Sequence, residues 1–199
     1  ILSEAHAMLF SGQANGAIDL LTTNRADKLA PQYLYWLGRA RFQNKDYTGA
    51  ANTFAEMLQK FPDSREALDA TIREANAFAR LEQWSHLEQL LTHTNAFQSA
   101  VSSGVPSEAV ASGFLLLGEA QLAQEKFAGV ESTLHALETQ SLDTQLKWQR
   151  DYLACRLQRA EGRLDEAVTN AAAWLTTQAR TNRAEGVELV ANVLGHSGC

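Results

Sequence analysis

Small and apolar residues recur along this chain in a pattern that returns every 33 to 43 positions. Small side chains stand at Ala5, Gly38, Ala75, Gly118 and Cys155, each inside an apolar run with helical spacing. Two positions later come Ala7, Ala40, Ala77, Ala120 and, as the larger exception, Leu157. A short turn follows, and a second apolar set opens with Ala14, Tyr47, Trp84, Phe127 and Leu164. Three positions on stand Ala17, Ala50, Leu87, Val130 and Ala167, and four further on Leu21, Phe54, Leu91, Leu134 and Ala171. Spacings of three and four place these residues on one helix face. Each unit therefore reads as a pair of helices, and the steps from Ala17 to Ala50, Leu87, Val130 and Ala167 are 33, 37, 43 and 37 residues.

A glycine inside a helix costs about 1 kcal/mol relative to alanine, so Gly38 and Gly118 predict close approach of the paired helix. Pro62 stops one helix, and Asp63 with Glu66 three positions later makes a capping-box pattern for the next. Pro106 suits the first turn of another helix. The small polar residues between His93 and Pro106 predict a long connection that absorbs most of the excess in the 43-residue step. Beyond the last pair, Val187, Val190, Ala191 and Leu194 predict an amphipathic terminal helix over 181–197 with no partner after it. Repeat arrays need polar end caps, so the chain is expected to be a segment of a longer array, or one whose last helix acts as a lid.

The period and the residues Leu37, Gly38, Tyr47, Ala50, Phe54 and Pro62 resemble the tetratricopeptide repeat (TPR), a helix-turn-helix unit of 34 residues. The likeness is fullest over 31–64; the other units fall at about 1–24, 65–101, 107–140 and 143–178. The dipeptide Tyr35-Trp36 ahead of Leu37-Gly38, followed by Lys45-Asp46-Tyr47 and Phe61-Pro62-Asp63-Ser64, looks like the subclass in TolA-binding and outer-membrane-assembly proteins of bacterial envelopes. The resemblance implies an all-α, right-handed solenoid of about five antiparallel helix pairs whose first helices line a concave side. Transferred through the register, the positions facing that side are Gln32, Tyr35, Arg39 and Phe42, then Asp69, Asn76 and Arg80, then Leu115, Glu119 and Leu122, then Gln149, Tyr152, Arg156 and Arg159. The expected groove residues are Tyr35, Arg39, Phe42, Asn76, Arg80, Glu119, Tyr152, Arg156 and Arg159. The family's chaperone-tail clamp of lysines and asparagines is not expected, because the corresponding places hold Leu2, His6, Trp36, Asp69 and Arg73.

Composition agrees with helix: of 199 residues 45% are hydrophobic, and there are only three prolines and twelve glycines. The net charge of -6 is concentrated in residues 65–142, which hold 10 acidic and 4 basic side chains, a distribution that repels phosphate and argues against nucleic acid as a partner. No run reaches the roughly 18 apolar residues of a membrane-spanning helix. Cys155 and Cys199 have no metal-ligand spacing, and Cys155 sits in the packing column as an inert thiol. The histidines His6, His86, His93, His135 and His196 form no metal motif, and phosphate-loop and hydrolase signatures are absent. No catalytic residue, cofactor or metal is expected.

What remains is binding. Arg offers paired hydrogen bonds to carboxylates and Tyr offers rigid contact area, so the expected function is a non-catalytic scaffold holding a peptide or protein segment, such as one with acidic groups, on the concave side. The alternative is a structural or self-assembling module that packs against itself, as a homo-oligomer, or against other domains of its parent protein. The resemblance puts the bacterial periplasm or cell envelope ahead of the cytoplasm.

Overall fold

The computed structural model describes residues 1–24, 30–93 and 95–178; the terminal helix expected over 181–197, with His196 and Cys199, lies outside them. Among the described residues there are eleven helices and no strand. Five pairs follow one another: α1 (Leu2–Phe10) with α2 (Ala14–Thr23), α3 (Ala30–Gln43) with α4 (Tyr47–Lys60), and α5 (Ala67–Arg80) with α6 (Trp84–Thr92). After a short extra helix α7 (Ala96–Ser102), α8 (Glu108–Ala123) pairs with α9 (Phe127–Glu138) and α10 (Thr144–Ala160) with α11 (Leu164–Gln178).

Every first helix ends in the same way. The residue two before the second helix adopts a left-handed backbone at Gly12, Lys45, Glu82, Glu125 and Gly162. The next amide in each case donates back across the turn, from Gln13 to Met8, Asp46 to Arg41, Gln83 to Phe78, Lys126 to Gln121 and Arg163 to Gln158, at 2.8–2.9 Å. That six-to-one bond and the left-handed residue are the Schellman ending, which satisfies carbonyls the helix leaves orphaned. Five copies of one turn give five pairs of one shape.

The core follows the sequence columns. Ala17, Ala50, Leu87, Val130 and Ala167 are all 0% exposed. Ala5, Gly38, Ala75, Gly118 and Cys155 are likewise buried. A Cβ added to Gly38 would meet the Phe54 ring of its paired helix at 2.6 Å, and one added to Gly118 would meet Leu153 Cδ2 on α10 at 2.5 Å. The buried Phe54 ring therefore requires glycine at position 38, whereas at position 118 a Cβ would have to displace the end of the Leu153 side chain from the next pair. Each first helix packs on the first helix of the next pair, α1 on α3, α3 on α5, α5 on α8 and α8 on α10. Apolar side chains gather in successive clusters, and all but the last bridge neighbouring pairs, as at Leu34, Ala50, Phe54 and Ala70 or at Ala111, Val130 and Leu153; the last, around Cys155, Ala167 and Ala171, lies within α10 and α11. A string of local cores is the signature of a solenoid, in which each unit touches only its neighbours. Ala7, on the first described helix, breaks its column by being exposed.

Three local expectations are corrected. The segment after His93 is not an open connection: Asn95 accepts hydrogen bonds from the Phe97 and Gln98 amides and so caps α7, and Phe97 is fully buried against Gly113 and Phe114. Burying one large ring is what makes a seven-residue helix hold. The Asp63–Glu66 capping box does not form; α5 starts at Ala67, and Glu66 instead accepts from Gln32 Nε2 on α3 at 3.2 Å. Pro106 precedes the first turn of α8, whose N-cap is Ser107, accepting from the Ala109 amide.

Candidate functional site

Polar seams join the first helices at three of their meetings, α1 with α3, α3 with α5 and α8 with α10. Between α3 and α5 the Tyr35 hydroxyl donates to Asp69, and Arg73 Nε donates to both Asp69 Oδ2 at 2.7 Å and Tyr35 Oη at 3.1 Å. Burial first, then the bond to Asp69, pushes the Tyr35 phenol above its ordinary value, so it stays a donor. Between α8 and α10 Arg156 pairs with Glu119 and lies 5.3 Å from the Tyr152 ring centroid. Gln43 Nε2 donates to the Leu9 carbonyl at 2.9 Å, joining α3 to α1. Within pairs, Arg41 with Thr53, Gln121 with Thr133 and Gln158 with Asn170 repeat one tie at equivalent positions, at 2.6, 2.8 and 3.1 Å.

Two cavities open beside these seams. One, of about 290 Å³, is lined by Arg39, Phe42, Gln43, Phe54, Arg73, Asn76 and Arg80, from α3, α4 and α5. The other, of about 360 Å³, is lined by Asn76, Ser112, Leu115, Leu116, Glu119, Trp148, Gln149 and Tyr152, from α5, α8 and α10. Asn76 lines both, and its amide donates to the Ile72 carbonyl of its own helix at 3.0 Å.

The cavities differ in chemistry. The first has three guanidinium groups and no carboxylate in its lining. Arg39 stacks 4.5 Å from the Trp36 ring centroid, which uses the face of the guanidinium and leaves its edge free. Among the described residues neither Arg39 nor the exposed Arg80 forms an ion pair, and Arg73 spends only Nε on Asp69 and Tyr35. In the second cavity Trp148 and Tyr152 stack at 5.4 Å beside Leu115 and Leu116, with Glu119 at the wall.

Of the groove residues expected from sequence, Arg39, Phe42, Asn76 and Arg80 line the first cavity, and Asn76, Glu119 and Tyr152 the second. Tyr35 and Arg156 line neither, being held in the seams, and Arg159 is exposed near the end of α10, away from both. Sequence reasoning missed Arg73 and Trp148. Arg73 could have been found from its spacing, four after Asp69 and three before Asn76, which puts all three on one helix face. Phe54 was read as core; it is 0% exposed and is also among the residues that line the first cavity.

Among the described residues no group of three or more His, Cys, Asp and Glu is placed to hold a metal. The Cys155 thiol is buried, and burial, with Asp151 nearby, pushes its pKa up, the reverse of an activated nucleophile. No described helix is long and apolar enough to cross a membrane.

Comparison with solved structures places the chain beside known repeat proteins. It superposes on the MamA RS-1 ArsTM double mutant with a TM-score of 0.62 at 18% identity, over 98% of this chain and 93% of that one. It also superposes on TTC0263, a thermophilic TPR protein of Thermus thermophilus, with a TM-score of 0.60 at 17% identity, over 97% and 96%. No protein-family model and no curated protein matches the sequence. At such identities the likeness speaks to the fold alone: the chain is an all-α, TPR-like solenoid.

Proposed function

We propose that this TPR-like solenoid is a non-catalytic interaction scaffold that holds a segment of another protein along the side lined by its first helices. One observation carries the reading: two cavities of different character, both walled chiefly by first helices, meet at a shared residue, Asn76. Folding has left uncompensated guanidinium groups in one and stacked aromatic surface in the other, the residue types that dominate binding hot spots. Arg39, Phe42, Asn76, Arg80 and Tyr152 are the contact residues in this reading; Tyr35 and the paired Glu119 and Arg156 hold the wall in shape, and Arg159 has no part.

The test is selection of a displayed random twelve-residue peptide library on the immobilised chain, followed by hydrogen-exchange footprinting of the enriched peptides. Protection concentrated on α3, α5, α8 and α10 supports the scaffold reading. Absence of any enriched peptide, or protection confined to second helices, refutes it.

A further inference from the structure

Resting on that reading, we propose that the bound segment is recognised by two features about four or five residues apart: a side-chain carboxylate held by Arg39, Arg73 and Arg80, and a large apolar side chain held by Leu115, Leu116, Trp148 and Tyr152. The chain as a whole is acidic, and its middle third most of all, yet the first cavity gathers three guanidinium groups with no carboxylate in the lining. Asp69 answers one of them, through Arg73 Nε, and the nitrogens at the tips of all three remain available. Like charges held together in a partly enclosed space favour an anion, and a planar guanidinium edge matches a carboxylate with paired hydrogen bonds.

The second cavity narrows the class of anion. Its stacked rings and two leucines accept an apolar group, while Glu119 stands at the wall. A polyphosphate or nucleic-acid strand laid along both cavities would set its charge against the leucines and stacked rings of the second, where the one carboxylate, Glu119, is already paired with Arg156, whereas a polypeptide can carry a carboxylate at one place and none at the next. An acidic residue followed or preceded by an apolar one satisfies both.

The spacing comes from the helices. The first cavity lies between α3 and α5, and the second reaches from α5 across α8 to α10. Packed helices lie about 8–10 Å apart, so the two centres, one and a half such spacings apart, are separated by about 12–15 Å. An extended chain advances about 3.3 Å per residue, which gives four or five residues between the two side chains. The seams described above, Tyr35 with Asp69 and Glu119 with Arg156, hold the first helices at fixed separation, so spacing is recognised as well as composition.

The same displayed library tests this through a different readout, the sequences enriched. Peptides fused at their C-terminus offer only side-chain carboxylates. The expected outcome is enrichment of Asp or Glu four or five positions from Leu, Phe, Ile or Trp. Synthetic versions with Glu→Gln should bind about tenfold or more weakly in fluorescence anisotropy. Arg80→Glu, at an exposed position without an ion pair, should erase the difference between Glu and Gln peptides and keep the apolar requirement. Ser112→Asp, whose native hydroxyl bonds only the Glu108 carbonyl of its own helix, should do the reverse. Enriched peptides that footprint on the first helices but lack the acidic and apolar pair overturn this inference and leave the scaffold reading standing. Failure to enrich any peptide removes both.

Discussion

Glu74 gives the most direct test of the packing argument. It stands on α5 one position before Ala75, where the equivalent residues of other pairs are Leu37 and Leu117. Spacing puts it between Ala70 and Ala77, which pack with Ala50, Phe54 and Met57. The side chain is only 6% exposed, and among the described residues nothing pairs with it. Burial alone pushes its pKa from 4.5 up to about 7. The folded state therefore binds the proton more tightly than the unfolded chain does. Its contribution is fully present below pH 4.5 and is lost as pH rises through about 7, and the gap converts to about 3 kcal/mol. The perturbation is Glu74→Gln, which keeps the shape and abolishes ionisation. Urea unfolding followed by helical circular dichroism at pH 5, 6, 7 and 8 gives the stability difference between the two proteins. Other titrating groups cancel in that difference, and the buried amide adds only a constant offset. The variant should gain about 2–3 kcal/mol on the parent between pH 5 and pH 8, since a small part of the penalty is already present at pH 5. Parallel stability curves would refute the reasoning, since a Glu74 that ionises freely is not enclosed by α4 and α5.

Three further outcomes follow from the packing. Gly38→Ala puts a Cβ at 2.6 Å from the Phe54 ring and should cost about 1–3 kcal/mol in the same urea assay; pairing it with Phe54→Leu should recover part of the loss, and additive effects would place the clash elsewhere. Phe97→Ala should cost about 3–5 kcal/mol and release α7 in hydrogen exchange, and a loss under 1 kcal/mol would mean that the ring is not a core anchor. Glu125→Gly, at a left-handed turn position with φ of 57°, should raise stability by about 0.5–1 kcal/mol in thermal melts; a lower melting midpoint would count against the turn geometry.

Much of the architecture can be read from spacing because a solenoid is nearly one-dimensional: a residue's neighbours are one turn, one helix or one repeat away. The five markers from Ala17 to Ala167 are buried for that reason. The requirement for glycine at Gly38 is visible as a propensity cost that only contact with Phe54 explains. Where a local rule is overridden from elsewhere, the pattern is silent. Lys45, Glu82 and Glu125 occupy left-handed turns with no glycine to mark them, because the Schellman bonds and the packed helices on either side outweigh the strain. α7 lies in a segment whose small polar residues read as loop, and its stability comes from Phe97 meeting Gly113, a contact sixteen residues away in sequence. In the candidate site, Arg and Tyr look alike whether they bind a ligand or a neighbouring repeat. Tyr35 and Arg156 belong to the second kind, with partners 34 and 37 residues away, and a search for complementary groups one repeat distant separates them from Arg39 and Arg80.

That division of labour shapes how the surface can bind. A side chain already committed to a seam offers little to a ligand, because breaking a charged pair leaves its partner unpaired and cancels much of the gain. Binding energy must then come from groups outside the seams: the edges of Arg39 and Arg80, the tips of Arg73, and the apolar surface of the second cavity around Leu115 and Leu116. These lie to either side of α5, the helix that also carries Asn76 between the cavities and Glu74 against α4. A ligand spanning both cavities binds only when the pairs built on α3, α5, α8 and α10 are folded and in register. Mass action then stabilises those pairs together, and the buried carboxylate of Glu74 pulls against that stabilisation as pH rises. Affinity and folding of the middle pairs are thus linked through one helix.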